Sequence, residues 1–112
     1  MNNVTSLVPV HPGKYLIEKY MDPLGISVDE LATDLRISPA FVSDIMAGRK
    51  GITADTAMRL GRYFRTTYLF WLKMQANYDM HIARIKYADS IARIRPMKGR
   101  ERASADVLKF RS

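Results

Sequence analysis

The sequence predicts an all-α fold of five helices followed by a basic C-terminal tail, and three observations carry that prediction. Apolar residues recur at helical spacing up to about Lys86. Ser, Thr, Pro and Gly punctuate them where caps and turns belong. No alternating stretch is long enough for a sheet, and only Ser90 to Arg95 leaves a choice between a short extended piece and a last helical turn. The chain has 112 residues, 47% hydrophobic and 26% charged, which is the balance of one ordinary globular domain.

The elements follow in order. Pro12 suits the first turn of a first helix whose apolar stripe is Leu16, Ile17 and Tyr20. Asp22-Pro23-Leu24-Gly25 ends it. Ser27, with Glu30 three residues on, reads as a capping box for a second helix, Val28 to Leu35, with Leu31, Ala32 and Leu35 on its inner face. Ser38-Pro39 repeats the start signal for a third helix, Pro39 to Ala47, which stops at Gly48. Thr53 caps a fourth, with Ala57, Leu60, Gly61 and Phe64 buried. Thr67 opens the longest, to about Lys86, with one ridge of Leu69, Leu72 and Ala76 and another of Trp71, Met74, Tyr78, Ile82 and Ile85. From Pro96 the chain is basic and poor in apolar residues, so a loose tail is expected. The division is an N-terminal arm over 1–10, a helical domain over 11–87 and a basic extension over 88–112.

Composition removes several function classes. There is no cysteine, so disulfides, thiolate zinc sites and cysteine nucleophiles are absent, as suits a reducing cytoplasm. The two histidines, His11 and His81, are far apart in sequence, and His81 has no carboxylate at i±4. No catalytic residue, metal site or cofactor is predicted, and the protein is not expected to be an enzyme. Met1 to Val10 has no basic residue ahead of its apolar stretch, unlike a secretory signal. No apolar run approaches the ~18 residues of a membrane span.

Charge and spacing then point to a partner. The net charge is +7, unevenly placed: residues 1–80 carry +1 and residues 81–112 carry +6. A basic balance suits nucleic acid or another anionic surface. Two short helices separated by three residues form a helix-turn-helix, whose second helix enters the DNA major groove. Ala32 is small where the helices approach, Leu31, Leu35 and Ile37 fill the turn, and Val42 and Ile45 fasten the second helix. Ser38, Pro39, Ala40, Ser43 and Asp44 then face outward as groove candidates, with Phe41 able to touch a thymine methyl or to join the core. Arg49 and Lys50 fit phosphate contacts just beyond that helix.

At this level of detail the chain resembles the HigA/VapI-type antitoxins, a branch of the lambda-repressor-like (XRE) helix-turn-helix family. The resemblance spans roughly 11–80 and rests on His11-Pro12-Gly13, Leu24-Gly25-Ile26-Ser27, Gly48-Arg49-Lys50-Gly51-Ile52-Thr53 and above all Phe70-Trp71-Leu72-Lys73-Met74-Gln75-Ala76-Asn77-Tyr78-Asp79. Three departures stand out: Lys14 where the family has an acid, Arg36 where the turn often has glycine, and Asp44 where a neutral or basic side chain is usual. A left-handed Arg36 costs strain, so an altered turn is expected there. A carboxylate at Asp44 is repelled by phosphate unless it accepts from a cytosine amine or pairs with a neighbouring arginine. The resemblance implies a cytoplasmic homodimer on a pseudo-palindromic double-stranded operator, repressing its own operon and neutralising a RelE/HigB-like RNA-cleaving toxin. A stand-alone regulator of the same family without a toxin is the alternative. An RNA- or membrane-surface adaptor working through the +6 segment is a third reading. The second ridge of the long helix needs cover, so Tyr78, Ile82, Ile85, Ile91 and Ile94 are the expected dimer interface.

Overall fold

The computed structural model describes residues 8–98, and the basic segment 99–112 and the first seven residues lie outside them. Within the described residues the fold is all-α, with five helices and no strand. Helix α1 spans 12–24, α2 is Val28–Leu35, α3 is Pro39–Met46, α4 is Ala54–Phe64 and α5 is Tyr68–Ala92. The cap residues behave as their chemistry requires: the hydroxyls of Ser27, Ser38, Thr53 and Thr67 accept the backbone N–H of Glu30, Phe41, Thr56 and Phe70, respectively.

Helix α1 is not uniform. An α-helical start, Pro12–Leu16, passes through a π-helical turn, Ile17–Met21, into Asp22–Leu24. The Asp22 N–H donates to the Ile17 carbonyl, one residue wider than an α-helical bond. Pro23, which has no N–H to give, sits in the last turn and Gly25 closes it at φ 67°. Gly13 explains how closely α1 crosses α3, because a Cβ there would collide with the Ile45 carbonyl.

The core gathers Leu16 and Met21 of α1, Leu31, Ala32 and Leu35 of α2, Val42 and Ile45 of α3, Ile52 of the turn that follows, Ala57 and Leu60 of α4, and Trp71 of α5. Leu31 and Trp71 are both 0% exposed, so these two side chains contribute their full transfer energy, roughly 2–3 kcal/mol each. Aromatic rings extend the core outward: Tyr20 stacks on Phe64 at 4.1 Å, and Tyr15 meets Trp71 edge-on at 5.9 Å.

Two expectations for α5 need correction. The helix runs on to Ala92, so Ile91 lies in helix and Ile94 in the closing turn, where its N–H reaches the Ile91 carbonyl. The packed seam is Trp71 and Gln75, flanked by half-buried Leu72, Met74 and Tyr78, while Leu69 and Ala76 face solvent. Apolar residues lie all round this helix, so periodicity alone could not select its inner face. The altered turn expected at Arg36 is also overturned. Arg36 adopts the left-handed conformation at φ 62°, ψ 45°, with the Ile37 N–H returning to the Ala32 carbonyl at 3.0 Å. Arg59 braces that turn, its Nη1 donating to the carbonyls of Leu35 at 2.8 Å and Arg36 at 3.3 Å. Two charge-assisted hydrogen bonds suffice to offset a strain of about 1 kcal/mol.

Candidate nucleic-acid interface

Helices α2 and α3 meet across residues 36–38, with the small Ala32 fully buried at their approach. Val42 and Ile45 pin α3 from below. That leaves Ser38, Pro39 and Ala40 exposed at its N-terminal turn, the part of a second helix that reaches base edges. Ser43 is half-buried one turn on, and Phe41 is half-buried and packs against the core. Ser38 has a local task as well, since its Oγ accepts the Phe41 N–H at 3.1 Å.

Asp44 is paired with arginine, the second of the two ways a carboxylate could be tolerated here. Arg49 Nε donates to its Oδ1 at 2.9 Å, and the Asp44 carbonyl accepts the N–H groups of Arg49 at 2.8 Å and Lys50 at 3.2 Å. The carboxylate therefore folds the residues after α3 back onto the helix. Both pair members reach solvent, so the pair steers geometry more than it adds stability. Lys50 and Arg49 are exposed beside the same face, and the Lys50 ammonium lies 5.9 Å from the Phe41 ring. The structure thus brings all eight candidates into one continuous stretch, from Ser38 to Lys50, with Gly48 turning the chain at φ 77°.

The same turn is held from behind by Gln75, which sequence reasoning did not single out, and by His11, whose place beside Pro12 suits a packing or capping residue. Gln75 of α5 accepts the buried Ile52 N–H at 2.8 Å. His11 caps α1, its Nδ1 accepting the Gly13 N–H at 2.9 Å, and its ring meets Tyr78 edge-on at 5.1 Å. Burial holds the His11 pKa below its ordinary 6.5, against the opposing pull of the Asp79 carboxylate and the Lys50 backbone. The one available signal was Gln75 four positions after Trp71, a polar residue on the buried seam.

The five residues expected at a dimer interface divide between two situations. Tyr78 and Ile82 are half-buried, Tyr78 against His11. Ile85, Ile91 and Ile94 are exposed by 67%, 53% and 70%, which leaves them free for an outside surface. Among the described residues no group of three or more ligating side chains could hold a metal, and no helix is long and apolar enough to cross a membrane.

Comparison with known proteins decides the family. The helix-turn-helix model matches residues 17–72, from α1 into α5. The chain belongs to the helix-turn-helix family. Within this family it is of the XRE, HigA/VapI type. Virulence-associated protein I of Dichelobacter nodosus is 46% identical over 66% of this chain and 68% of its own length. The Pseudomonas aeruginosa antitoxin HigA, solved with the higBA promoter, is 38% identical over 80% of this helix-turn-helix chain and 98% of its own, with a TM-score of 0.75. The antitoxin GraA, solved in complex with its operator, is 33% identical over 80% and 91%, also at 0.75. The two solved relatives are DNA-bound antitoxins rather than enzymes.

Proposed function

We propose that this helix-turn-helix protein binds a double-stranded operator as a homodimer, represses its own operon and neutralises a RelE/HigB-like RNA-cleaving toxin in the cytoplasm. The observation that carries the DNA-binding part is the match over four-fifths of this chain to antitoxins solved with promoter or operator DNA. Exposure of Ser38, Pro39 and Ala40 at the start of α3 supports base contact there, with Ser43 one turn on. Phe41 flanks them, and Arg49 and Lys50 act on phosphate. Asp44 acts by orienting Arg49 rather than by reading a base. Tyr78, Ile82, Ile85, Ile91 and Ile94 form the two-fold seam, which sets two motifs about one DNA turn (~34 Å) apart. The toxin partner rests on kinship with antitoxins alone.

The test uses duplex DNA from immediately upstream of the protein's own gene, titrated at several salt concentrations. Ser43→Ala relaxes discrimination among operator variants by about 1 kcal/mol. Arg49→Ala weakens binding to every sequence alike and lowers the salt slope by about one unit. A sequence-dependent loss for Arg49→Ala with an unchanged salt slope would reverse the two roles.

A further inference from the structure

One set of buried polar contacts has no task in the function proposed above. Gln75, only 9% exposed, lies between α5 and the turn of residues 48–52. Its Oε1 accepts the Ile52 N–H at 2.8 Å and its Nε2 donates to Asp79 Oδ1 at 3.0 Å. A Cβ on Gly51 would stand 2.9 Å from the Gln75 amide carbon, so any larger residue there would push the amide from its present place against this backbone. The opposite side of the turn rests on His11, whose ring would be 3.8 Å from a Cβ at Gly48 and which Tyr78 holds in place. Three residues of α5, in little more than one helical turn, therefore fix a short segment that carries Arg49 and Lys50.

The chemistry of the Gln75 amide gives Asp79 a defined part. An amide can present either its oxygen or its NH2 to Ile52, and only the oxygen satisfies that N–H. The Asp79 carboxylate accepts and cannot donate, so it draws the NH2 toward itself and turns the oxygen to Ile52. We propose that Gln75, oriented by Asp79, is a positioning residue that fixes where Arg49 and Lys50 meet the DNA backbone. Helix α5 and the phosphate-contacting turn then move as one piece. This rests on the reading that Arg49 and Lys50 touch phosphate.

Asp79 offers the cleaner test because it is exposed and its replacement leaves the core packing intact. Asp79→Ala and Asp79→Asn are compared with the wild-type chain on the same upstream duplex, with sedimentation confirming an unchanged oligomeric state and thermal melting an unchanged fold. Removing an acidic charge by itself tightens DNA binding. Loss of positioning does the opposite, so Asp79→Ala is expected to bind about 5- to 10-fold more weakly with a shallower salt slope. Asp79→Asn keeps the acceptor and should bind at least as tightly as wild type. Hydrogen exchange at the Ile52 amide should speed up by about tenfold in Asp79→Ala and stay slow in Asp79→Asn. On an Arg49→Ala, Lys50→Ala background, Asp79→Ala should have no further effect on affinity. Wild-type or tighter binding by Asp79→Ala, while the Arg49→Ala, Lys50→Ala variant is weakened, overturns the positioning role and leaves the phosphate reading standing. Unchanged binding by the Arg49→Ala, Lys50→Ala variant removes both.

Discussion

The two halves of α5 are built from similar residues and meet different surroundings. From Tyr68 to Ile82 the helix lies on α4 and α1, and Trp71 has lost all contact with solvent. From Arg84 to Ala92 every residue is exposed, including Ile85, Tyr87 and Ile91. An apolar residue in the first half stabilises the monomer, whereas one in the second half contributes only when something else covers it. The difference teaches that apolar character along a helix reports burial without saying against what. The proposed two-fold seam is placed on that unburied remainder.

The sharpest way to break that contrast is to exchange the outcomes. Trp71→Ala should cost the monomer about 3–5 kcal/mol in chemical denaturation, because it empties the centre of an aromatic cluster. A loss below about 1.5 kcal/mol, the size of the mildest core substitutions, would mean the first half is not core. Ile85→Asp should leave monomer stability almost unchanged yet shift the dimer to monomer in sedimentation, with a penalty of roughly 3 kcal/mol for an unpaired interface charge. An intact Ile85→Asp dimer would remove the second half from the interface.

Two smaller effects refine where the halves divide. His11 packs on Tyr78 near that boundary and has a folded-state pKa below 6.5. The unfolded chain therefore binds the proton more readily, so the stability this histidine contributes is present above pH 6.5 and is lost as pH falls through the lower folded value. His11→Asn keeps a cap acceptor without the titration, and its melting temperature should fall less between about pH 7 and pH 5 than that of the wild type. The smallest effect belongs far from α5. Arg36→Gly relieves left-handed strain but frees the unfolded chain, and a net gain of about 0.5 kcal/mol is expected in the same denaturation assay.

Much of the fold was legible because its signals are local. Ser27, Ser38 and Thr53 announce helix starts through an oxygen that reaches three residues ahead, and the described hydrogen bonds are those. The inner faces of α2, α3 and α4 were legible for the same reason, as their apolar stripes are narrow. The π-helical turn at Ile17–Met21 was not, since the apolar spacing of Leu16, Ile17 and Tyr20 is the same for an α-helical turn. Arg36 was misjudged because its support comes from Arg59, on another helix. At the site, the exposed start of α3 followed from Ser38-Pro39, and the Asp44–Arg49 pair followed from charge. The brace formed by Gln75 did not, because a glutamine's partner 23 residues away leaves no periodic trace.

Trp71 also makes the protein its own optical instrument. It is the chain's single tryptophan, its indole Nε1 donates to Thr66 Oγ1 at 2.8 Å, and Tyr15 and Tyr20 stand within 5.9 Å and 5.8 Å of its ring. Light absorbed by either tyrosine can pass to one buried emitter seated between α1, α4 and α5. The colour of that emission reports whether these three helices remain closed together. Because α3 contributes no ring to this cluster, a ligand on α3 can be titrated by other means while the indole keeps watch over the fold.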